Sequence, residues 1–470
     1  MQYYSTNGKA PLATLEKAVV KGLAEDKGLY MPKRIKPLPA SFFDDIQDMT
    51  LQEIAYRVAD CFFGEDIDAE SLRWIVNDTL SFDIPLVKVE KVKELKGEKE
   101  CPIYSLELFH GPTLAFKDVG ARFMARLLQY FVNDKSINSK SLNGKCVNVL
   151  VATSGDTGSA VANGFLGVEG IHVYVLYPKG KVSPIQECQF TTLGQNITAI
   201  EVDGVFDDCQ ALVKNAFMDE ELNREMQLTS ANSINVARFL PQSFYYFWAY
   251  AQLKKTLSNS PLKGENLGKE ASPLRGGLEG SVVCCVPSGN FGNICSALIG
   301  KRMGLPISRF IAANNANDVF HKYIQTGKYE PMASIQTIAN AMDVGAPSNF
   351  ARILNLFGNS HEAICRDISS STYSDEQIAE TMRQCLAETG YQLDPHGACG
   401  YRALQEGLKD GEVGFFIETA HPAKFKQTVD EICGTDIEIP ARLQAFMKGT
   451  KQSIPMSKDF DDFKNYLLGR

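Results

Sequence analysis

The sequence predicts an α/β protein built on mostly parallel sheets. Three observations lead to this fold class: apolar strands recur along the chain, glycine-rich turns follow them, and helices follow the turns. The strands are nearly continuous apolar runs, as in Val147–Ala152, rather than alternating apolar and polar residues. Such runs are typical of strands that are covered by helices on both faces.

The individual elements are justified by local pattern in chain order. Val147–Ala152 ends at the turn 153–159, and the small residues after that turn predict a helix near 160–166. Ser374 is suited to cap the helix predicted over 374–389. The same criteria predict strands at 172–177, 197–202, 281–286, 309–313 and 413–417, and helices at 206–222, 238–255 and 294–303.

Composition and charge exclude several classes of protein. The chain has 470 residues with a net charge of −8, and a mildly acidic chain is not suited to wrapping nucleic acid or an anionic membrane. The sequence has no apolar run long enough to span a bilayer and no secretory signal, and its twelve cysteines are scattered. We therefore expect a cytoplasmic protein without disulfides, and the histidine and cysteine spacing predicts no metal site.

Lys117 is the first candidate for chemistry. It follows an apolar segment and begins a predicted helix, where the helix dipole favours anions rather than cations. An amine in a desolvated, cation-rich site has a lowered pKa and can form a Schiff base with a carbonyl cofactor. A lysine that only reaches from the core edge to solvent is the alternative.

Two glycine-rich turns are candidate anion sites. The turns 288–293 and 153–159 each lie between a predicted strand and a helix, where glycines and free helix N–H groups can bind phosphate. The first turn lacks the lysine of a nucleoside-triphosphate loop and the glycine spacing of a dinucleotide site. Taken singly, either turn could carry glycine for steric reasons alone.

Two further segments carry polar groups next to apolar ones. Residues 229–238 place hydroxyl and amide side chains before Arg238, whose guanidinium suits a phosphate or carboxylate. Thr419 follows a buried strand, and ligands of α/β sheets bind beyond the carboxyl ends of strands. The alternatives are a surface arginine at a capped helix and a histidine, His421, that serves only the core edge.

Together these segments resemble the threonine synthase family, pyridoxal-phosphate enzymes of fold type II in the tryptophan-synthase β-like superfamily. The resemblance covers nearly the whole chain. Its motifs stand in the family's order: YSTNG at 4–8, GLYMP at 28–32, FHGPTLAFKD at 109–118, SGDTG at 154–158, NSIN at 232–235, PSGNFG at 287–292 and ETAHPAK at 418–424.

The resemblance implies a role for each candidate residue. Lys117 would carry pyridoxal 5'-phosphate and move protons, and Thr419 would hydrogen-bond the pyridine nitrogen. The cofactor phosphate would be held by backbone N–H groups of Ser288, Gly289, Asn290, Phe291, Gly292 and Asn293. The substrate's carboxylate and phosphate would be contacted by Thr153, Ser154 and Thr157. Its phosphate would also be held by Ser233 and Arg238, with Asn232 nearby. Asp156 stands where the wider superfamily has asparagine, which leaves the partner of the ring hydroxyl open.

The resemblance also implies the domain organisation. It predicts an N-terminal domain at 1–100, a large cofactor-binding domain at 101–130 and 240–470, and a small α/β domain at 131–239. The two α/β domains would form open, mostly parallel sheets around the cofactor. Residues 256–280, rich in Ser, Gly, Pro, Lys and Glu, are predicted to be a surface insertion with no counterpart in the family.

The function implied is conversion of O-phospho-L-homoserine and water to L-threonine and phosphate, the last step of threonine biosynthesis, by a monomer or homodimer. No nucleic acid or membrane partner is expected. Two alternatives stay open: a phospholyase or dehydratase of the same fold, and a relative that binds a ligand without catalysis. Arg238 and the polar residues 232–235 argue against a plain dehydratase. An intact Lys117 argues against a non-catalytic relative.

Overall fold

The computed structural model describes residues 1–91, 101–133, 146–258 and 282–469. The strands of these residues are β1 (Gln2–Ser5), β2 (Ala13–Thr14), β3 (Tyr30–Pro32), β4 (Leu86–Lys88), β5 (Ile103–Glu107), β6 (Val147–Ala152), β7 (Ile171–Pro178), β8 (Ile197–Val202), β9 (Gln227–Ser230), β10 (Val282–Pro287), β11 (Arg309–Asn314), β12 (Ile368–Thr372), β13 (Val413–Glu418) and β14 (Ile454–Met456).

The helices of the same residues are α1 (Leu15–Lys21), α2 (Ala40–Asp45), α3 (Leu51–Phe63), α4 (Ala69–Thr79), α5 (Lys117–Asn133), α6 (Asp156–Phe165), α7 (Pro184–Thr191), α8 (Phe206–Met218), α9 (Glu220–Glu225), α10 (Val236–Phe239), α11 (Phe244–Ser258), α12 (Gly292–Arg302), α13 (Val319–Thr326), α14 (Phe350–Leu356), α15 (His361–Asp367), α16 (Asp375–Thr389), α17 (Pro395–Gly407), α18 (Lys426–Cys433), α19 (Ala441–Met447) and α20 (Phe460–Leu467). Short 3₁₀ turns lie at Ile46–Asp48, Leu240–Ser243, Asn340–Met342 and Pro422–Phe425.

The larger sheet has six strands in the order β12-β11-β10-β13-β5-β4. All its pairs are parallel except the edge pair of β4 with β5. Successive residues of β10 face different cores, with Cys284 in one apolar cluster and Cys285 in another. Because both faces of the strand are covered, its sequence is continuously apolar.

The second sheet has five strands in the order β14-β8-β7-β6-β9, and all its pairs are parallel. Its two faces are likewise covered, with Val149 in one apolar cluster and Leu150 in another. The C-terminal strand β14 pairs with β8, so the chain returns to this sheet near its end. The predicted division put that segment with the large domain; the division as a whole stays a prediction.

The N-terminal region forms a small antiparallel sheet, β2-β1-β3, next to helices α1 to α4. Tyr3 and Phe62 of this region are fully buried in the same apolar cluster as Phe123 and Phe244 of the sheet-bearing part. The shared core joins this region firmly to the rest of the protein. Among the described residues, no helix has the length and apolar character needed to cross a bilayer.

Most predicted elements are confirmed, and two predicted helices are wrong in their extent. The helix predicted at 206–222 stops at Met218, because Asp219 instead caps α9 by accepting from the Leu222 N–H. The helix predicted at 238–255 is divided into α10, a 3₁₀ turn and α11, since Pro241 has no N–H to donate. Helix α16 begins with the capping box of Ser374 as expected.

The predicted insertion at 256–280 lies almost wholly outside the described residues. Its first three residues belong to the end of helix α11, which runs to Ser258. The prediction for 259–280 is not tested.

Candidate active site

All the site residues predicted from the sequence line one cavity between the two parallel sheets. They are Lys117, Thr153, Ser154, Thr157, Asn232, Ser233, Arg238, Ser288, Gly289, Asn290, Phe291, Gly292, Asn293 and Thr419. Strands β6, β10 and β13 end at its wall, which is where parallel sheets bind ligands. The structure thus brings the segments together, while the role of each residue stays a prediction.

Lys117 and Thr419 share a wall because the segments before α5 and after β13 are paired. Ala115 and Ala420 form an isolated antiparallel bridge, and the Phe116 N–H donates to the Thr419 carbonyl over 2.8 Å. This pairing fixes the start of helix α5, and so the Lys117 side chain, beside the end of β13.

The Lys117 amine lies in a desolvated, cation-rich setting. Its side chain is 13% exposed, and its Nζ is 3.9 Å from Oδ2 of Asp156. Burial lowers the pKa of Lys117 to about 8, with Asp156 acting against this shift and Lys424 and Arg238 adding to it. A larger fraction of the amine is therefore neutral near pH 7 than for an ordinary lysine, as a nucleophile or base requires.

Lys424 is a site residue that reasoning from the sequence missed. It is fully buried, its Nζ lies 2.7 Å from Oδ1 of Asp156, and it donates to the Thr113 carbonyl over 2.8 Å. Gln186 also donates to Asp156, over 2.8 Å. Burial alone would raise the pKa of Asp156, but Lys424 and Lys117 outweigh it and hold that pKa well below its usual range. Asp156 is therefore an anion beside the Lys117 amine.

The turn 288–293 fits an anion at five of its six residues. Ser288 lines the cavity, but its N–H donates to Ala313 and its hydroxyl donates to Val286, each over 2.8 Å. The residues after Ser288 lead into helix α12. The first N–H groups of a helix have no acceptor within it and form the positive end of its dipole, so they can bind an anion. Gly289 is required here, since a Cβ would lie 2.7 Å from the Met342 backbone.

Asn293 adds a side-chain donor to this turn. Its Oδ1 accepts hydrogen bonds from the hydroxyls of Tyr245 and Tyr246, which fixes the orientation of the amide. Its buried Nδ2 has no partner among the described residues. An unpaired buried donor is costly, so this amide is available to an acceptor that binds next to it.

Arg238 supplies a fixed positive charge to the cavity. It is 2% exposed, its Nη1 donates to the Ala231 carbonyl, and its Nε has no partner among the described residues. Burial lowers the pKa of Arg238 to about 10, with Asp118 acting against this shift. The guanidinium stays charged at neutral pH and, among the described residues, has no carboxylate within ion-pair distance.

The turn Asn340–Met342 and His396 also line the cavity, although no sequence motif pointed to either. The Ala341 N–H donates to Nε2 of His396 over 3.1 Å, and Nδ1 of His396 lies 2.7 Å from Asp394. Because the backbone N–H can only donate, Nε2 is unprotonated and Nδ1 carries the hydrogen. His396 thereby holds the turn over Gly289.

His421 serves the backbone rather than the cavity. Its Nδ1 accepts from the Ala423 N–H over 3.1 Å, which caps the 3₁₀ turn Pro422–Phe425. Burial lowers the pKa of His421 to about 4. This is the alternative that the sequence had left open for His421.

Comparison with known families identifies the kind of enzyme that carries this cavity. Residues 80–418 match the family described as "Pyridoxal-phosphate dependent enzyme". Residues 2–80 match "Threonine synthase N terminus", and residues 397–467 match "Threonine synthase, C-terminal". The chain belongs to the threonine synthase family. It is therefore a lyase that depends on pyridoxal phosphate.

Relatives of the threonine synthase family match along the full length. The threonine synthase of Haemophilus influenzae is 40% identical over 468 residues, covering 100% of both chains. The crystal structure of Escherichia coli threonine synthase has a TM-score of 0.85 at 37% identity and covers 100% of both chains. A pyridoxal-phosphate-bound threonine synthase from Brucella melitensis has the same TM-score at 32% identity, with coverage of 100% and 99%.

The charges around Lys117 predict opposite effects for two substitutions. Lys424→Met removes a cation that lowers the pKa of Lys117, and Asp156→Asn removes the anion that raises it. We expect the pH midpoint for cofactor uptake by the apoenzyme to move up in the first variant and down in the second. Visible absorption across the range around pH 8 measures this, with the exposed Lys179→Met as control. Shifts in one direction for both variants would contradict this electrostatic account.

Proposed function

We propose that this protein is a threonine synthase that converts O-phospho-L-homoserine and water to L-threonine and phosphate. The observation that carries the proposal is a cavity that presents two chemically different sets of anion donors together with the Lys117 amine. Residues 289–293 offer backbone N–H groups and no charge, whereas Ser233 and Arg238 offer a hydroxyl and a fixed cation. Two phosphates, one on the cofactor and one on the substrate, need two such sets of donors.

The residues present suit pyridoxal phosphate. Lys117 would hold its aldehyde carbon, the backbone of 289–293 with Asn293 would hold its phosphate, and Thr419 would lie at its pyridine nitrogen. When bound, the cofactor supplies an electron sink for negative charge developing on the substrate. A neutral hydroxyl at Thr419 would stabilise a protonated pyridine nitrogen less than a carboxylate would, which favours elimination and replacement over transamination.

Lys117 is the base in this mechanism. With substrate in the cavity, the neutral Lys117 amine would remove the proton at Cα of the substrate and later one at Cβ. Asp156 is held as an anion by Lys424, so it can balance the positive charge that Lys117 acquires with each proton. Thr153, Ser154 and Thr157 would hold the carboxylate end of the substrate, as their place on the wall of β6 allows.

Arg238, Ser233 and Asn232 act on the leaving group. Phosphate departs from Cγ carrying more charge than it had as an ester, so a donor set already in place lowers the barrier without reorganising. Arg238 suits this role because its charge is not neutralised by a carboxylate of the described residues. A proton then returns to Cγ, which becomes the methyl group, water adds at Cβ to give the hydroxyl of threonine, and a proton returns to Cα.

A substrate panel tests this proposal against its alternatives. The purified enzyme is given O-phospho-L-homoserine, O-phospho-L-threonine or L-threonine, and released phosphate and the amino-acid product are measured with chiral analysis. The expected result is phosphate and L-threonine from the first compound only. Preference for phosphothreonine would identify a phospholyase, a 2-oxo acid from threonine a dehydratase, and no turnover a non-catalytic relative.

We also propose that the reaction takes place in the cytoplasm. All twelve cysteines are free thiols, which is the rule in reducing compartments. Whether the enzyme is a monomer or a homodimer stays a prediction.

A further inference from the structure

Arg352 is a buried cation that does not line the cavity and has no carboxylate partner among the described residues. It lies on helix α14 and is 0% exposed. Burial lowers the pKa of Arg352 to about 9, so it stays charged at neutral pH. Burying a charge without a counter-ion is expensive, which calls for an account of what the guanidinium does.

The guanidinium of Arg352 holds the backbone of the Ser233 turn. It donates to the carbonyls of Ser233 over 2.9 Å, Ile234 over 2.6 Å and Tyr30 over 3.2 Å. Its Cζ lies 3.9 Å from the ring centroid of Phe239, on the helix that follows the turn. Arg352 therefore joins the turn that carries Ser233 to the N-terminal region.

Arg352 also fixes the orientation of Asn349. Its Nη1 donates to Oδ1 of Asn349, and a guanidinium can only donate, so the amide oxygen must face it. The Nδ2 of Asn349 then points the other way and donates to Oγ of Ser233 over 3.0 Å. The same Nδ2 also donates to the Asn290 carbonyl over 2.9 Å, so Arg352 and this carbonyl together orient the amide that donates to Ser233.

A second amide acts on the same hydroxyl. The Ser348 N–H donates to Oδ1 of Asn290 over 2.6 Å, which turns the Asn290 Nδ2 to donate to Oγ of Ser233 over 3.0 Å. Both lone pairs of the Ser233 hydroxyl are then occupied. Its hydrogen has no acceptor in the part of the chain that the structure describes, and the residue lines the cavity. Ser233 is left able only to donate.

We propose that Arg352 is a positioning residue that makes Ser233 an obligatory hydrogen-bond donor to the substrate's phosphate. The identity of that anion rests on the proposed function; the relay from Arg352 through Asn349 to Ser233 does not. A phosphate oxygen only accepts, whereas a hydroxyl free to rotate could equally present a lone pair to it. The relay removes that competing orientation.

The N-terminal region also accepts hydrogen bonds from the segment that carries Ser233. The Val19 carbonyl accepts from Nδ2 of Asn235 over 2.9 Å and from the Thr229 hydroxyl over 3.2 Å. With the Tyr30 carbonyl on Arg352, the region reaches the substrate wall through backbone acceptors, while none of its residues lines the cavity.

Arg352→Gln tests the relay, because glutamine can both donate and accept and no longer fixes Asn349. The probe is inorganic phosphate, with its inhibition constant and direct calorimetric binding to the holoenzyme measured beside KM and kcat for O-phospho-L-homoserine. We expect weaker phosphate binding and a higher KM, each by about tenfold, the effect of losing one hydrogen bond to a charged group. The visible spectrum of the bound cofactor should not change.

Two matched variants separate positioning from folding. Arg352→Lys keeps a donor-only group and should recover part of the phosphate affinity. Arg309→Gln is the control. It removes an arginine that is only partly buried and is paired with Glu412 away from the cavity, so it should lower the melting temperature without changing phosphate binding. If Arg352→Gln does not fold, Asn349→Leu breaks the same relay while Arg352 keeps its three carbonyl acceptors.

A double-mutant cycle with Ser233→Ala gives the decisive outcome. Because Arg352 acts through Ser233, the double variant should bind phosphate no more weakly than Ser233→Ala alone. Additive losses, or an Arg352→Gln variant that behaves like Arg309→Gln, would overturn the proposal. Failure of the wild type to turn over phosphohomoserine would reject the proposed function, yet phosphate calorimetry would still test the relay.

Discussion

Lys117→Ala is expected to abolish turnover while the protein still binds pyridoxal phosphate without a covalent link. The amine lies in a desolvated site with a pKa of about 8, next to an aspartate that is kept ionised. Loss of a positioned acid–base group alone costs about 10²- to 10⁴-fold in rate, and loss of the covalent attachment adds to it. Phosphate release and the visible spectrum of the variant measure both effects.

The matched control is Lys179→Ala, an exposed lysine outside the cavity. It should keep full activity and the wild-type spectrum. The phosphate-binding turn and Thr419 do not depend on Lys117, so the alanine variant should retain the cofactor after gel filtration at saturating concentration. Near-normal turnover by Lys117→Ala would remove the basis of the mechanism.

Arg238→Ala is expected to lower kcat/KM for O-phospho-L-homoserine severely and to leave cofactor binding unchanged. Truncating a buried charged partner costs about 2–5 kcal/mol. That corresponds to about 30-fold to several-thousand-fold in rate constant. Arg238 is not part of the turn 289–293, so its removal should leave the donors to the cofactor's phosphate in place.

Arg238→Lys separates charge from geometry. A lysine restores one positive charge but cannot make the bidentate contact, so it should recover only part of the lost rate. The measurements are steady-state kinetics with phosphohomoserine and a titration with pyridoxal phosphate. Wild-type kcat/KM in Arg238→Ala, or loss of the cofactor instead, would show that Arg238 does not bind the substrate's phosphate as proposed.

The sheets could be predicted because burial of both faces leaves a direct mark on the sequence. Strands β6 and β10 are continuous apolar runs whose alternate residues enter different cores, and each is followed by its glycine-rich turn. Helix ends were harder to predict. The breaks at Asp219 and Pro241 depend on a cap and on a missing N–H, which helical periodicity does not register.

The cavity could be predicted where its residues lie in strand-end turns with distinctive motifs. Lys424, Arg352 and the turn Asn340–Met342 could not, because their importance comes from contacts with residues far away in the chain. The one available signal for Lys424 was that it is a lysine in the mostly apolar segment after Thr419. Ser288 shows the opposite limit. It lies in the predicted glycine-rich turn, but its N–H and its hydroxyl already donate to the backbone carbonyls of Ala313 and Val286.

In the proposed reaction, one cavity removes phosphate from Cγ of a phosphorylated amino acid and adds water at Cβ. Running the reaction with O-phospho-L-homoserine in isotope-labelled water, and analysing both products by mass spectrometry, tests both steps at once. Cleavage of the carbon–oxygen bond predicts one labelled oxygen in the hydroxyl of L-threonine and none in the released phosphate. Label in the phosphate, with homoserine as the other product, would mean hydrolysis at phosphorus and would contradict the account.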